Sequence, residues 1–291
     1  MNDLKQTTVI GLGLLGASIS LAVLRSFAGM KVVGYTHRSS TRAKARQLAV
    51  ATEVVDEMSR SVADANLVIL ATPIRTFESI FGEIADALPR DCIVTDVGST
   101  KVLPHRWAAK KLPKTVHYVG SHPIAGSEQR GVEFARDDLF DQAVCILTTT
   151  RSTNRQAVQT LESFWSKLGC SVKSMTPREH DRVFANVSHL PHITAVALMN
   201  ANRKADLQFA GKGFMDTSRI ASGPPNIWAD VLLTNASNTI RGIDQVIAQL
   251  TRVKRAIENK DEKEIEKLLE KARAKRAALI EYKIKKKEII S

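Results

Sequence analysis

The sequence predicts a doubly wound parallel α/β sheet over residues 1–175, followed by an all-helical domain over residues 176–291. Three observations carry this. Short apolar or β-branched runs alternate with helical stretches through the first part, as in Leu67–Ala71, Cys92–Asp96 and Val144–Thr148. Continuous apolar runs of this length suit strands covered on both faces by helices. The third observation is a change of pattern: beyond Thr176 no convincing strand occurs.

Taken in order, Thr7–Ile10 reads as the first strand and leads into Gly11-x-Gly13-x-x-Gly16, after which an apolar helical pattern begins. The order strand, glycine turn, helix is more informative than the glycines alone. Gly11 permits a sharp turn, Gly13 lets a pyrophosphate approach the backbone, and Gly16 lets helix and strand pack closely. The helix N-terminus, with Leu14 and Leu15 in its first turn, turns unpaired N–H groups toward the phosphates. A Rossmann-type dinucleotide site is expected. Lys31–Tyr35 is the second strand, ending in Thr36, His37, Arg38, Ser39, Ser40 and Thr41. An NAD-preferring fold places an acid at this strand end for the ribose hydroxyl. Here it is Thr36, with Arg38 and several hydroxyls beside it, a set that matches a 2′-phosphate. NADP rather than NAD is therefore expected, unless Arg38 merely stacks on adenine. Thr72-Pro73, at the end of the third apolar run, marks the edge where ribose or nicotinamide would lie.

Strands at Cys92–Asp96, His117–Gly120 and Val144–Thr148 continue the sheet, and a helix over 154–168 with a short strand at 171–175 closes it. Thr176-Pro177-Arg178-Glu179 is a capping box with proline at the first helical position. Helices are then expected over about 177–202, 226–257 and 261–286. Their apolar stripes face more than one way, which suggests a dimer through the helical domain rather than a thick monomeric bundle.

Composition bounds the function. Hydrophobic residues make up 44% and charged residues 25% of 291, ordinary values for a soluble domain. No apolar run approaches the roughly 20 residues of a membrane span, and MNDLKQ has no signal-peptide character. No membrane role is expected. Cys92, Cys145 and Cys170 are scattered, which reads as buried thiols in a reducing cytoplasm. The net charge of +12 invites a nucleic-acid reading. Much of the excess sits in the helical segment 254–287, where Lys and Glu alternate and aromatic residues are sparse. A solvated face, with some steering of anionic ligands, accounts for it without nucleic acid.

A dinucleotide domain joined to a helical one points to an oxidoreductase, and hydride removal from a carbinol needs a base for the hydroxyl proton. His122, just past a strand end in an exposed-looking turn, suits that task. Ser99, also past a strand end, either orients His122 and the substrate oxygen or caps a helix. In Ser188-His189-Leu190-Pro191-His192 two imidazoles stand three residues apart on one helical face. No acid lies at metal-ligand spacing, so pocket lining is expected and no metal. Arg219, in Asp216-Thr217-Ser218-Arg219, either clamps a substrate carboxylate or pairs with Asp216.

Together these segments resemble the prephenate/arogenate dehydrogenase family of tyrosine biosynthesis. The carrying motifs are GLGLLGAS (11–18), DVGSTK (96–101), GSHPIAGSE (120–128), HDRVFANVSHLPH (180–192) and GFMDTSRIASGPPNIW (213–228). They cover nearly the whole chain in the family's order, in a minimal form without a fused mutase or regulatory domain. The resemblance implies oxidative decarboxylation of prephenate and/or arogenate to 4-hydroxyphenylpyruvate or tyrosine, with hydride transfer to NADP. It implies His122 as base, Ser99 as its support, and Arg219 on a carboxylate. His189 and His192 would line the pocket, with Ser127 and Glu128 at its rim. The departure is at Thr36–Thr41, where many relatives carry an acid. Asp181 and Glu128 are candidate partners for the ammonium that distinguishes arogenate. The rival readings are a β-hydroxyacid dehydrogenase or imine reductase of similar layout, with Lys212 as its lysine, and a non-catalytic NADP-binding regulator.

Overall fold

The computed structural model describes residues 4–125 and 129–286. They form two compact units, divided between Thr239 and Ile240.

The first unit is organised on a six-stranded parallel sheet of order β3-β2-β1-β4-β5-β6. Its strands are β1 (Gln6–Ile10), β2 (Lys31–Tyr35), β3 (Glu53–Val54), β4 (Leu67–Leu70), β5 (Ile93–Asp96) and β6 (His117–Tyr118). Every residue of β1, β4 and β5 is buried; β4 accordingly reads as an unbroken apolar run, while β1 and β5 also bury Gln6, Thr7, Thr8, Thr95 and Asp96. Alternation sends Val9, Leu67 and Ile69 to one face, where they join the core under α1 (Leu14–Ser26). It sends Ile10, Val68 and Leu70 to the other, against Phe77, Phe81 and Ile84 of α4 (Phe77–Ile84). The crossovers α2 (Ser39–Gln47), α3 (Met58–Val62) and α5 (Val102–Lys111) complete the layers.

The sheet does not continue through His117–Gly120 into the later strands, as the sequence suggested. The chain leaves β6 and starts a second sheet of β7 (Gly120–Ile124), β8 (Val144–Thr148) and β9 (Ser171–Met175). β7 runs antiparallel to β8, and β8 parallel to β9. The helix α6 (Arg155–Lys167) covers one face, anchored by buried Leu161, Phe164 and Trp165. His122 consequently sits inside β7, opposite Ile146, and not in a turn beyond a strand.

The helical part begins at the expected capping box: Thr176 Oγ1 accepts from the Glu179 N–H at 3.2 Å. The single helix expected over 177–202 is α7 (Pro177–Phe184) and α8 (Leu190–Ala201), joined by a π-helical turn at Ala185–His189. Pro191 supplies no N–H to the carbonyl four residues back, so the ladder widens there. Two shorter helices follow, α9 (Lys212–Ser218) and α10 (Pro225–Thr234). The helix expected over 226–257 breaks at Asn235, whose side chain bonds elsewhere in the unit. Beyond it, α11 (Ala236–Glu258) and α12 (Glu262–Lys285) are long.

In the second unit, Asp261 caps α12 through the Glu264 N–H at 3.0 Å. Ile247, Leu250 and Ile257 of α11 are each more than half exposed. They recur at helical spacing and form an uncovered apolar stripe. No described helix is long and apolar enough to cross a membrane. Cys92, Cys145 and Cys170 are all buried and free, and burial pushes the Cys92 and Cys170 thiols up to about 12.

Candidate functional site

A cleft of about 1530 Å³ runs across the first unit. One wall is the glycine turn and the carboxyl ends of β1, β2 and β4, where a doubly wound sheet binds its ligands. The other is built from β7, the turn after β5, the end of α7 with the π-helical turn that follows it, the turn Arg219–Ser222, and α10.

The glycine turn fits a dinucleotide phosphate. Gly11 has φ +102°, and a Cβ there would lie 2.6 Å from the Ala71 carbonyl oxygen. A Cβ on Gly16 would lie 1.8 Å from the Gly11 oxygen, so this glycine permits the close crossing of strand and helix. Over Gly13, in contrast, nothing lies within 4 Å of such a Cβ. Gly13 is also the N-cap of α1 and offers no side-chain acceptor. The first N–H groups of the helix thus face open space, which is the arrangement an anion occupies. Gly11, Gly13, Leu14, Leu15, Thr36, His37, Arg38, Ser40, Thr41, Thr72 and Pro73 all line the cleft. Ser39 and Gly16 do not; Ser39 opens α2, and Gly16 lies packed under the turn. Lys44, one turn further along α2, was missed and also faces the cleft. Among the described residues one acid lines the cleft, Glu133, in the short turn Val132–Phe134 that packs against α2.

The turn that carries Ser99 is held from below. Asp96 Oδ1 accepts from the Gly98 N–H at 2.7 Å and pairs with Lys101 Nζ, and Oδ2 accepts from the Tyr118 hydroxyl at 2.6 Å. Lys101 and Asp96 are completely buried. Removing one partner would leave an uncompensated charge, a loss of about 3–5 kcal/mol. Ser99 reaches the cleft wall from this turn. It is not the cap of α5. The residue preceding α5 is Lys101, and the helix is capped from outside by Asp181, which accepts from the Lys101 and Val102 N–H groups at 2.7 and 2.9 Å. Asp181, one of two candidate ammonium partners in the sequence, is therefore engaged inside the protein at 1% exposure, with both oxygens on backbone N–H groups.

Alternation along β7 aims His122. Ser121 points to the α6 side, bonding Thr95 Oγ1 at 2.7 Å and Trp165 Nε1 at 3.1 Å. His122 points the opposite way, into the cleft. Its Nδ1 lies 2.8 Å from His180 Nε2, and His180 Nδ1 lies 2.9 Å from Asp181 Oδ1. Phe184 stacks on His180 at 4.5 Å and lies against His122 at 4.8 Å. Burial lowers both imidazoles, with Lys101 adding to the effect: His122 falls well below its usual range and His180 to about 2. Both are neutral near pH 7.

His189 lies on the wall, completely buried at the end of the π-helical turn. The Asn235 amide donates to the Asp181 carbonyl at 2.7 Å and faces His189 Nδ1 at 3.2 Å. Nδ1 is thus an acceptor, and the proton of neutral His189 is on Nε2, which is buried without a partner. Burial lowers this imidazole to about 4. An uncharged donor stands there for a ligand oxygen. His192 departs from expectation. It does not line the cleft but stacks flat on Trp228, with centroids 3.5 Å apart and planes 6° apart. Trp228 is the wall residue, and Gly223 is required beside it, since a Cβ there would meet Trp228 Nε1 at 2.3 Å. Arg219 opens the turn Arg219–Ser222 and lines the cleft. Lys212 is not on its wall. Ser127 and Glu128 lie outside the described residues. Among the described residues no cluster of three or more His, Cys, Asp or Glu side chains is placed to hold a metal.

Sequence reasoning missed His180, Asn235 and Phe184 as parts of this site. His180 and Phe184 lie within the motif HDRVFANVSHLPH, but the partners that bring His180 and Asn235 to the site, His122 and His189, are distant in sequence.

Comparison with known proteins agrees with this architecture. Residues 19–174 match the family model of the prephenate dehydrogenase nucleotide-binding domain, and residues 176–271 that of its dimerization domain. Prephenate dehydrogenase of Bacillus subtilis is 34% identical over 269 residues, covering 90% of this chain and 72% of the relative. Cyclohexadienyl dehydrogenase of Zymomonas mobilis is 32% identical, covering 90% and 91%. Among solved structures, Aquifex aeolicus prephenate dehydrogenase with hydroxyphenyl propionate and NAD+ superposes with TM-score 0.88 at 31% identity, covering 95% and 99% of the two chains. Synechocystis arogenate dehydrogenase superposes with TM-score 0.82 at 28% identity, covering 94% and 99%. With both domains matched in order and relatives above 30% identity along most of its length, the chain belongs to the prephenate dehydrogenase family.

Proposed function

We propose that the chain oxidatively decarboxylates prephenate and/or arogenate with NADP preferred over NAD, and that His122 is the base. The observation that carries this reading is the placement, on one cleft, of an open glycine turn and a buried, uncharged imidazole. Residues 1–175 would hold the dinucleotide, and residues 176–291 would supply the substrate wall and the dimer contact.

Bound along the glycine turn, a nicotinamide dinucleotide supplies the acceptor for the hydride leaving C4 of the ring. His122 takes the proton of the 4-hydroxyl as the C4–H bond breaks, so that the hydroxyl oxygen becomes a carbonyl. The ring carboxylate then leaves as carbon dioxide. The electrons of the broken C–C bond complete the aromatic ring and turn the C4 carbonyl back into a hydroxyl, which regains the proton held by His122; aromatisation makes the step effectively irreversible. Ser99, on the same wall, donates to or orients the reacting oxygen. His189 donates its Nε2–H to a substrate oxygen, and Arg219 holds a carboxylate in two parallel hydrogen bonds. His192 supports the wall through Trp228. The tilted Phe184 ring keeps water from one face of the base. Arg38 and Lys44, with Ser40 and Thr41, favour the 2′-phosphate.

The side chain distinguishes prephenate from arogenate. His189 matches the keto oxygen of prephenate, which is therefore within the substrate range of this chain. For the ammonium of arogenate, Asp181 is committed to α5, Glu128 lies outside the described residues, and Glu133 is a carboxylate on the cleft wall. The apolar stripe of α11 is the surface that a second copy would cover in a homodimer.

The deciding assay offers prephenate and arogenate, each against NADP and NAD, and follows absorbance of the reduced cofactor. Prephenate-dependent reduction with NADP favoured is expected. His122→Asn should lower kcat by about 10²–10⁴-fold while leaving dinucleotide binding intact. An active His122→Asn chain would remove His122 from the chemistry. A chain that binds NADP yet turns over neither substrate would favour the hydroxyacid or regulator readings.

A further inference from the structure

A histidine base works only if the nitrogen facing the reacting hydroxyl carries a lone pair. Which nitrogen does so is set by what the other one bonds. In this cleft the chain of contacts behind His122 fixes the answer, starting from the carboxylate at its far end.

Asp181 accepts from two backbone N–H groups, one at each oxygen: Lys101 at Oδ1 (2.7 Å) and Val102 at Oδ2 (2.9 Å). With both oxygens facing donors, the group is an ionised acceptor and has no proton to give. His180 Nδ1, 2.9 Å from Oδ1, must then carry its own proton. His180 is neutral, so its Nε2 is a lone pair. His122 Nδ1, 2.8 Å away, must be the donor. The proton of His122 is thereby committed to Nδ1, and its Nε2 is left as the basic nitrogen. The order of protons is determined by helix capping, since the same carboxylate ends α5 and orients His180. Phe184 packs on both rings and opposes rotation of either.

We propose that His180 and Asp181 are positioning residues that hold His122 in the tautomer with its Nε2 lone pair presented to the substrate hydroxyl. The proposal rests on the reading of His122 as base. No proton travels along the relay. Asp181 stays ionised and His180 stays neutral through the reaction, and their contribution is the tautomer and ring orientation of His122. The arrangement differs from a His–Asp pair in one respect. A neutral imidazole stands between carboxylate and base, so the base is oriented without being drawn toward the imidazolium by an adjacent negative charge.

Two measurements test this. In ¹⁵N spectra of the imidazole-labelled full chain at pH 7, His122 should show a protonated Nδ1 and an unprotonated Nε2, and His180 likewise. A protonated Nε2 on His122 would overturn the proposal, whatever the activity. In kinetics, His180→Phe keeps an aromatic ring against Phe184 but removes the acceptor. It should lower kcat by about 100-fold or more with both KM values within about threefold. His180→Gln retains one acceptor for His122 and one donor for Asp181, and should recover most of the lost kcat. Equal losses in both variants, or a His180→Phe chain as active as the parent, would refute a positioning role. If His180→Phe fails to fold, the parent's tautomer spectrum and the Gln variant still decide. Failure of the base reading shows separately, as full activity in His122→Asn.

Discussion

The two walls of the cleft are built by opposite means. The dinucleotide wall works by the absence of side chains: Gly11 and Gly16 let backbone pass within contact of backbone, and Gly13 leaves a space that nothing fills. Its parts are contiguous in sequence, from 11 to 16. The imidazole wall works by buried polar side chains bonded to one another, with His189 Nε2 left without a partner, and its parts are scattered. His122 on β7 meets His180 and Asp181 on α7, which meet the start of α5 and, through Asn235, His189. The second wall carries two imidazoles, His122 and His189, with His180 behind them, and burial lowers all three. Backbone shape defines one side, and the proton state of buried imidazoles defines the other.

The largest effect expected lies on the first wall and separates its two functions. Gly16→Ala places a methyl 1.8 Å from the Gly11 oxygen, a backbone atom that cannot move aside alone. Strand and helix must part, and a loss on the order of 4 kcal/mol or more is expected, enough to unfold a marginal domain. Gly13→Ala meets nothing within 4 Å. It should melt within a degree or two of the parent and yet bind the dinucleotide about tenfold or more weakly, because the methyl occupies the phosphate space. Thermal melts with a nucleotide titration check the pair. Equal stability of the two variants would show that the close crossing is not a constraint.

The contrast also explains what the sequence revealed. The sheet of the first half was legible because its strands are covered on both faces and so are written as apolar or β-branched runs, as at Leu67–Leu70. The glycine turn was legible because its physical requirement is local. The departure of the chain into a second sheet at Gly120 was not, since β7 and β8 look alike whether they pair with the first sheet or with each other. The helix starting at Thr176 announced itself by its cap, but its break at Ala185–His189 depends on one proline seen in context. Asp181 could be seen as an acid near the site. That it caps a helix 80 residues away is a fact of tertiary packing, and so is the resulting proton order. His192 was expected on the pocket wall because helical spacing puts it near His189. Trp228, arriving from α10, covers it.

Acid should act on the buried imidazoles in and around the second wall. Burial lowers His105 and His189 to about 4 and His180 to about 2, and also lowers His122 and His192. The unfolded chain titrates each near 6.5. Between that value and the folded ones the unfolded state holds more protons, so stability rises with pH. It is complete above about pH 7 and is lost as pH falls below 6.5, at up to about 1.4 kcal/mol per pH unit for each buried imidazole. The Asp181 carboxyl, raised by burial, opposes this just above the usual carboxylate range. The melting temperature should fall steadily from pH 6.5 to 4.5. Activity at pH 6 should survive, since His122 remains an unprotonated base there. A melting temperature flat across this range would mean that these imidazoles are not held neutral.

The smallest effect concerns the far end of the first wall, the one place where it does use side chains. Four cations lie on α2 or just before it, but they are not equivalent: Arg46 is tied to the Val54 carbonyl and to Asp56. Arg42 is committed to the fold: its guanidinium holds the Thr36 and His37 carbonyls at 2.7 and 2.9 Å and pairs with Asp56 at 2.7 Å. It shapes the loop after β2 and has little freedom to reach a ligand. Arg38, the N-cap residue of α2, and Lys44 both line the cleft. Loss of a charge-assisted contact to a phosphate lowers affinity by about tenfold. Arg38→Ala should therefore weaken NADP by about tenfold and NAD hardly at all, with Lys44→Ala showing the same sign at smaller size. Arg42→Ala should instead weaken both dinucleotides alike and lower the melting temperature, because it releases the loop. The ratio of the two dissociation constants separates the roles of Arg38. If it binds the 2′-phosphate, the ratio collapses toward one; if it stacks on adenine, which the two cofactors share, both constants rise together and the ratio stays where it was.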